Sequence, residues 1–191
     1  MAVRGSLDRL KTLIRRFVGD REGVGAIEFA ILFPIMVMLY VGAVEITVGL
    51  SASKRAARAA GTIADVVTQQ KSVTKSWLDD MPAVANAIFV PYATTGMTIK
   101  ITGITIDAGG NATVLWSWAQ DKSRPYAVNS AVTVPADIKK ASSFLVRTEL
   151  SYPYQLFMFT PSLGQNASII RLNRSYFYRQ RQDENVPCSD C

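Results

Sequence analysis

A chain of 191 residues suits one domain, or one domain with an appendage. Its 49% hydrophobic and 19% charged residues lie on the apolar side of ordinary soluble composition, so part of it is not built to face water. The absence of histidine excludes Ser-His and Cys-His catalysis and imidazole zinc sites, and the net charge of +6 points to an anionic partner, with the apolar excess favouring a membrane over nucleic acid.

The leader, residues 1–23, is basic: Arg4, Arg9, Lys11, Arg15, Arg16 and Arg21 stand against Asp8, Asp20 and Glu22, so half of the net charge resides there. Residues 24–50 then read VGAIEFAILFPIMVMLYVGAVEITVGL, with only Glu28 and Glu45 charged. As a helix this stretch rises roughly 40 Å, more than the hydrocarbon core of about 30 Å. The Leu, Ile, Val and Phe residues between the two glutamates favour insertion by roughly 3–5 kcal/mol, enough to tolerate a carboxylate near a membrane edge. A cleavable secretory signal fits less well, because its apolar region is short and ends in a small-residue site. The basic residues before the span outnumber Lys54, Arg55, Arg58 and Lys71 after it, which predicts a cytoplasmic N-terminus and an extracytoplasmic remainder.

Glu28, at the start of the apolar run, has two readings. A helix N-terminus in the headgroup region favours a carboxylate through its dipole; alternatively the costly charge is functional. Beyond residue 50, SASKRAARAAGTIADVVTQ is rich in helix formers and extends the helix to about Thr68–Gln70. Gly42, Gly49, Ser53, Ala56 and Ala60 fall on one face of small residues, which suits close helix packing in a membrane or simply reflects the composition of such helices. Pro34 frees a backbone carbonyl and is a candidate kink.

Residues 71–191 read as an extracytoplasmic domain. SWLDDMPAVANAIFVP (76–91) predicts a short helix beginning near Asp79 or Asp80, with Pro82 in its first turn. TIKITGITI (98–106) alternates until Gly103, a strand with a bulge, and the turn DAGGN leads to a second strand, ATVLWSW (112–118). VPADIKKAS (134–142) holds one helical turn. FLVRTELSY (144–152) sets Phe144, Val146, Thr148, Leu150 and Tyr152 on one face and Arg147 and Glu149 on the other, a half-buried strand. SIIRLNRSYFYRQR (168–181) predicts a last long strand with its arginines facing out. The expected fold is α+β: a long N-terminal helix, half membrane-spanning and half extracytoplasmic, packed on an antiparallel sheet of about four strands.

Several clusters have competing readings. Trp116, Trp118, Tyr126, Tyr154, Phe157 and Phe159 fit core or sheet packing better than a binding surface. Arg171, Arg174, Arg179 and Arg181 interleave with Tyr176, Phe177 and Tyr178 like a nucleic-acid stacking face, but an extracytoplasmic location favours a solvated strand face. Asp79 and Asp80 read as helix caps rather than a catalytic pair. Cys188 and Cys191 form a CxxC at the chain end; without histidine a zinc site needs further ligands, and no strand–helix context supports thioredoxin chemistry, so a disulfide or two free thiols are preferred. Asn166-Ala167-Ser168 matches the glycosylation pattern without other support. No catalytic residue, cofactor or metal is expected.

The glycine at 23, four residues, then Glu28-Phe29 opening an apolar helix resembles the processing site of type IV pilins and pseudopilins. GVGAIEFAILFPIMVMLYVGAVEI with KRAARAAGTIADVV, and the SYFYRQR and VPCSDC stretches near the C-terminus, resemble the TadE/TadG-like family of tight-adherence pilus assembly proteins. The resemblance implies a non-enzymatic, single-pass protein of the bacterial inner membrane with a periplasmic C-terminal domain. It implies cleavage between Gly23 and Val24 by a prepilin peptidase. Glu28 would then pair with a neighbouring subunit's N-terminal amine and, with Phe29, set register. Implied partners are the peptidase, other pilins or pseudopilins, the assembly platform and the lipid bilayer, with no nucleic acid. An uncleaved, membrane-anchored scaffold is the alternative.

Overall fold

The computed structural model describes residues 23–156, 169–180 and 185–191. Helix α1 runs from Val24 to Thr68 without interruption at Pro34, and the Ile27 N–H closes its first turn on the Gly23 carbonyl at 3.1 Å. Its contacts divide the chain into two compact units, Met1–Val44 and Glu45–Cys191. In the first, the described residues are one helical stretch with apolar side chains on every side. Phe29 and Phe33, one turn apart, bring their ring centroids to 5.4 Å.

The second unit is built around the rest of α1. Ala52, Ala56, Ala59, Ala60, Ile63, Ala64 and Val67 are fully buried. Alanine at these positions gives a smooth, narrow ridge, so large side chains from a sheet can close over the helix at native density. A short α2 (Lys75–Leu78) is capped by Thr74, whose hydroxyl accepts the Trp77 N–H at 3.3 Å. α3 (Met81–Phe89) begins at Asp80 with Pro82 in its first turn. The helix expected to begin near Asp79 or Asp80 is α3, and the single turn of α2 ahead of it is an addition that the sequence reading did not include.

Strands β1 (Thr98–Ile106), β2 (Ala112–Ala119), β3 (Ser143–Gln155) and β4 (Ile169–Arg179) form one antiparallel sheet in the order β2-β1-β3-β4. The register between β1 and β2 shifts at Gly103/Ile104, the expected bulge. Gly103 is required there: a Cβ would stand 2.5 Å from Trp116 Cε2 and Nε1 and 2.9 Å from Phe144 Cζ. In the intervening turn the Asp107 carboxylate accepts the Asn111 N–H at 2.7 Å and its side-chain amide at 2.9 Å, and those bonds hold its pKa below the ordinary value. Gly110, at φ +81°, supplies the left-handed residue. The outer edge of β2 is covered by residues 129–132, through Val114 N–H to Ser130 O (3.0 Å) and Val132 N–H to Ala112 O (3.0 Å).

The main core lies between α1, α3 and one face of the sheet, with Ile99, Ile101, Trp116, Trp118, Phe144, Val146 and Leu150 all buried there. A smaller cluster, Ile104, Ile106, Ala112, Val134 and Leu145, shields part of the opposite face beside a 3-10 turn at Ala136–Ile138. The architecture is α+β, a long N-terminal helix packed through its C-terminal half on a four-stranded antiparallel sheet.

Candidate functional site

The first candidate region is the start of α1. Gly23 is exposed and occupies the cap position, so the Gly23–Val24 peptide bond lies at the open end of the helix. A Cβ at Gly23 would meet nothing within 4 Å. The fold thus places no demand for glycine at 23, and a requirement there must come from something that handles this segment. Gly25 and Gly42 are equally unconstrained, so space alone does not single out Gly23; its five-residue spacing to Glu28 does. Glu28 lies just over one turn into the helix, exposed, with Phe29 beside it 63% exposed. The apolar surface continues through Phe33, Met36, Leu39 and Tyr40. A contiguous apolar cylinder of this kind marks a membrane or partner contact, and α1 is long and apolar enough to cross a bilayer once.

The second region is where the folded unit begins. Glu45, which the sequence presents as the charge bounding the apolar run, is only 6% exposed. The Tyr154 hydroxyl donates to its Oε1 at 2.6 Å, and burial followed by this carboxylate raises the Tyr154 pKa well above the ordinary phenol range. The Tyr154 ring lies over Gly49, 3.4 Å from where a Cβ would stand. One turn further on, Ser53 Oγ accepts from the Arg174 guanidinium. Ala56 and Ala60 are fully buried in the same unit. From Gly49 to Ala60, then, the small-residue face packs on this chain's own sheet, whereas Gly42 belongs to the preceding unit and has open space around it. The pairing of Glu45 with Tyr154 escaped the sequence because the two are 109 positions apart and each has an ordinary local explanation.

The arginines of β4 require a correction. Arg171 and Arg179 stand opposite Pro153 and Leu145 on the outer face, but Arg174 stands opposite Leu150, on the side facing α1. The even alternation of a strand puts it there, and Ser53 compensates its charged group with a hydrogen bond. Tyr176 and Tyr178 share that inner face while Phe177 lies on the other, so cations and aromatics do not line one stripe. Trp116 and Trp118 belong to the core. Tyr126 sits against the outer face, its hydroxyl donating to Glu149 Oε2 at 2.8 Å with the Arg147 guanidinium 4.6 Å from its ring centre. Phe157, Phe159, Arg181 and the Asn166-Ala167-Ser168 pattern lie outside the described residues.

Cys188 and Cys191 are joined in a disulfide, their Cα atoms 5.5 Å apart. Together with Asp190 they bring three potential ligand atoms within 4.8 Å of one another, but with the sulfurs bonded to each other there are no thiolates to offer a metal. What the turn does hold is the tail itself. Val73 and Cys188 form a parallel bridge, Val73 N–H donates to Pro187 O at 3.0 Å, and Lys75 N–H donates to Asp190 Oδ1 at 2.8 Å. Fully buried Val186 presents its carbonyl to Trp116 Nε1 at 2.7 Å.

Among the described residues one helix is long and apolar enough to cross a membrane, which suggests single-pass membrane anchoring, and the rest of that helix packs on a four-stranded antiparallel sheet. Residues 23–65 match the family model described as TadE-like protein, the family that the N-terminal sequence resembles. TadE-like proteins are components of tight-adherence pilus assembly and are not known as enzymes; the match covers α1 to within a turn of its end and stops before the sheet. No curated protein and no solved structure matches the chain.

Proposed function

We propose that this protein is a pseudopilin-like inner-membrane component of tight-adherence pilus assembly, processed between Gly23 and Val24 by a prepilin peptidase. The observation that carries the reading is the start of α1: an exposed glycine bond with no structural reason to be glycine, then Glu28 on an otherwise uncharged apolar surface. About 20 residues, Val24–Val44, precede the folded unit, and their rise of roughly 30 Å equals the hydrocarbon thickness. Glu45 therefore falls to the periplasmic side, where the folded unit shelters it. The leader stays cytoplasmic and Cys188–Cys191 forms in the oxidising compartment.

After cleavage, the Val24 amine and the Glu28 carboxylate carry opposite charges on one apolar helix. In a bundle of such helices each is costly unless paired, and pairing Glu28 of one subunit with the terminal amine of the next fixes their axial offset. Phe29, beside it, supplies shape at the same contact. The test is complementation of a deletion strain. Glu28→Ala should be processed like wild type yet fail to restore normal piliation, whereas Gly23→Val should block processing. Unchanged piliation by Glu28→Ala would overturn the registration role.

A further inference from the structure

On the face of the sheet turned away from the main core, two cross-strand rows lie side by side. Thr98, Ser151 and Asn173 form one, and Lys100, Glu149 and Ser175 form the other. These six residues line a cavity of about 480 Å³, within the usual size of a small-molecule site. At ordinary strand and residue spacings the patch measures roughly 10 Å across the strands and 7 Å along them. The six side chains offer three hydroxyls, a carboxamide, an ammonium and a carboxylate. Lys100 and Glu149 stand opposite each other, where unlike charges ordinarily pair across strands. Instead Glu149 Oε2 is engaged from the side, by the Arg147 guanidinium at 3.2 Å and the Tyr126 hydroxyl at 2.8 Å. Lys100 is left exposed, its ammonium 6.0 Å from the Tyr126 ring centre and without an ion pair among the described residues.

This set of groups narrows the ligand. An apolar molecule would strip water from the polar lining and return no hydrogen bonds. A phosphate calls for several converging charged donors, and here one uncommitted cation stands beside a carboxylate. A peptide strand cannot be added, because β1 and β3, the middle of the floor, are already paired on both edges. What remains is a molecule dense in hydroxyl or amide groups that carries a negative charge. We propose that this cavity binds a carboxylated saccharide, with the Lys100 ammonium on the carboxylate and Thr98, Ser151, Asn173 and Ser175 on the ring hydroxyls or an acetamido group. Two sources outside the cytoplasm share that chemistry: lactyl-bearing amino sugars of the cell wall and uronic acids of a secreted polysaccharide. Only this choice of sources rests on the extracytoplasmic reading of the folded unit; the ligand chemistry rests on the cavity alone.

The test is calorimetric titration of the full chain, purified in a detergent without a sugar headgroup. The probes are the disaccharide of N-acetylglucosamine and N-acetylmuramic acid, digalacturonate, the methyl ester of each, and inorganic phosphate. An ester keeps the shape of its acid and removes the charge. The expected result is saturable binding of at least one acid, about fivefold tighter than its ester, the effect of one exposed ion pair. Added salt should shrink that preference. Lys100→Met should abolish the preference and leave ester binding unchanged. Asn173→Ala should weaken acid and ester alike, by roughly 2–12-fold for one hydrogen bond. Ser175→Phe, at an exposed position, fills the cavity and should abolish binding of both. Tighter binding of the muramic disaccharide assigns the wall as source, and tighter binding of digalacturonate assigns a secreted polysaccharide; either supports the site. No saturable binding of either acid in the millimolar range would overturn the proposal. So would acids no tighter than their esters, displacement by equal inorganic phosphate, or full binding by a folded Ser175→Phe chain. Lys100 and Ser175 lie on different strands, so misfolding of one variant leaves the other to decide. None of these outcomes depends on whether the chain is cut after Gly23, so failure here leaves the processing claim standing.

Discussion

Replacing Gly103 by alanine tests how the bulge, the tryptophan behind it and the C-terminal tail depend on one another. The new methyl carbon would lie 2.5 Å from two Trp116 ring atoms and 2.9 Å from Phe144 Cζ, against an ordinary carbon contact of about 3.5–4.0 Å. Both rings are buried, so neither can swing into solvent; Trp116 must retreat by about 1 Å within a packed core. Overpacking of that size costs about 1–3 kcal/mol. The retreat also pulls Nε1 away from the Val186 carbonyl, now 2.7 Å distant, and a buried acceptor deprived of its donor costs about 1–3 kcal/mol more. Alanine returns a fraction of a kcal/mol through chain entropy, leaving a net loss of about 2–5 kcal/mol. Chemical denaturation of the detergent-solubilised chain, followed by tryptophan emission, reads the total. Hydrogen exchange at the Val73 and Ser189 amides, whose partners lie across the tail bridge, reads the local part. Trp116→Phe removes the donor without crowding, and combining the two changes should cost less than their sum because they share one partner. A Gly103→Ala shift within 0.5 kcal/mol, with tail amides still protected, would refute the reasoning.

Three further outcomes follow from the same contacts. Tyr154→Phe removes the phenol that donates to Glu45 and should destabilise the folded unit by about 1–3 kcal/mol in the same denaturation assay. Because the folded pKa of Tyr154 is raised, its contribution is complete below the ordinary tyrosine value of about 10 and is lost as pH rises through the higher folded value; the wild-type advantage over Tyr154→Phe should therefore be flat between about pH 7 and 9 and shrink only beyond. Cys188→Ser opens a very short ring, so the loss should be no more than about 2 kcal/mol and confined to faster exchange at Val73, Lys75 and Ser189. Acid should act on the β1–β2 turn: the Asp107 pKa is depressed, so its stabilisation is present above the unfolded value and lost as pH falls through the lower folded one, and the Asn111 amide should exchange faster there relative to a neutral Asp107→Asn variant.

Much of this fold is legible in the sequence because its elements obey short periods. α1 reads through to Thr68 since nothing after Pro34 breaks a helix. β1 is outlined by alternation, and Gly103 announces its bulge by interrupting that alternation. The α1 small-residue face is equally visible, but its partner is not: alanine permits close approach to a helix or to a sheet, and only the tertiary structure reveals that Ala56 and Ala60 lie under strands of their own chain. Composition alone sends a strand cation to the solvent face, whereas the parity of Arg174 with Leu150 places it inward beside Ser53. The tail contacts of Val186 and Asp190 had no periodic signature at all, being single hydrogen bonds formed across the whole length of the domain. At the candidate site, Gly23 and Glu28 are legible as spacing, and the structure adds that neither is held by the fold.

The central claim is that the Gly23–Val24 bond is the processing site of a pseudopilin-like subunit. Intact mass and N-terminal sequencing of the membrane-extracted protein, produced with and without an active prepilin peptidase, test it most directly. The chain should begin at Val24 only when the peptidase is present, with Gly23→Val locking it in the longer form. A chain that begins at Met1 or Ala2 in both preparations would contradict it and leave an uncleaved membrane-anchored protein.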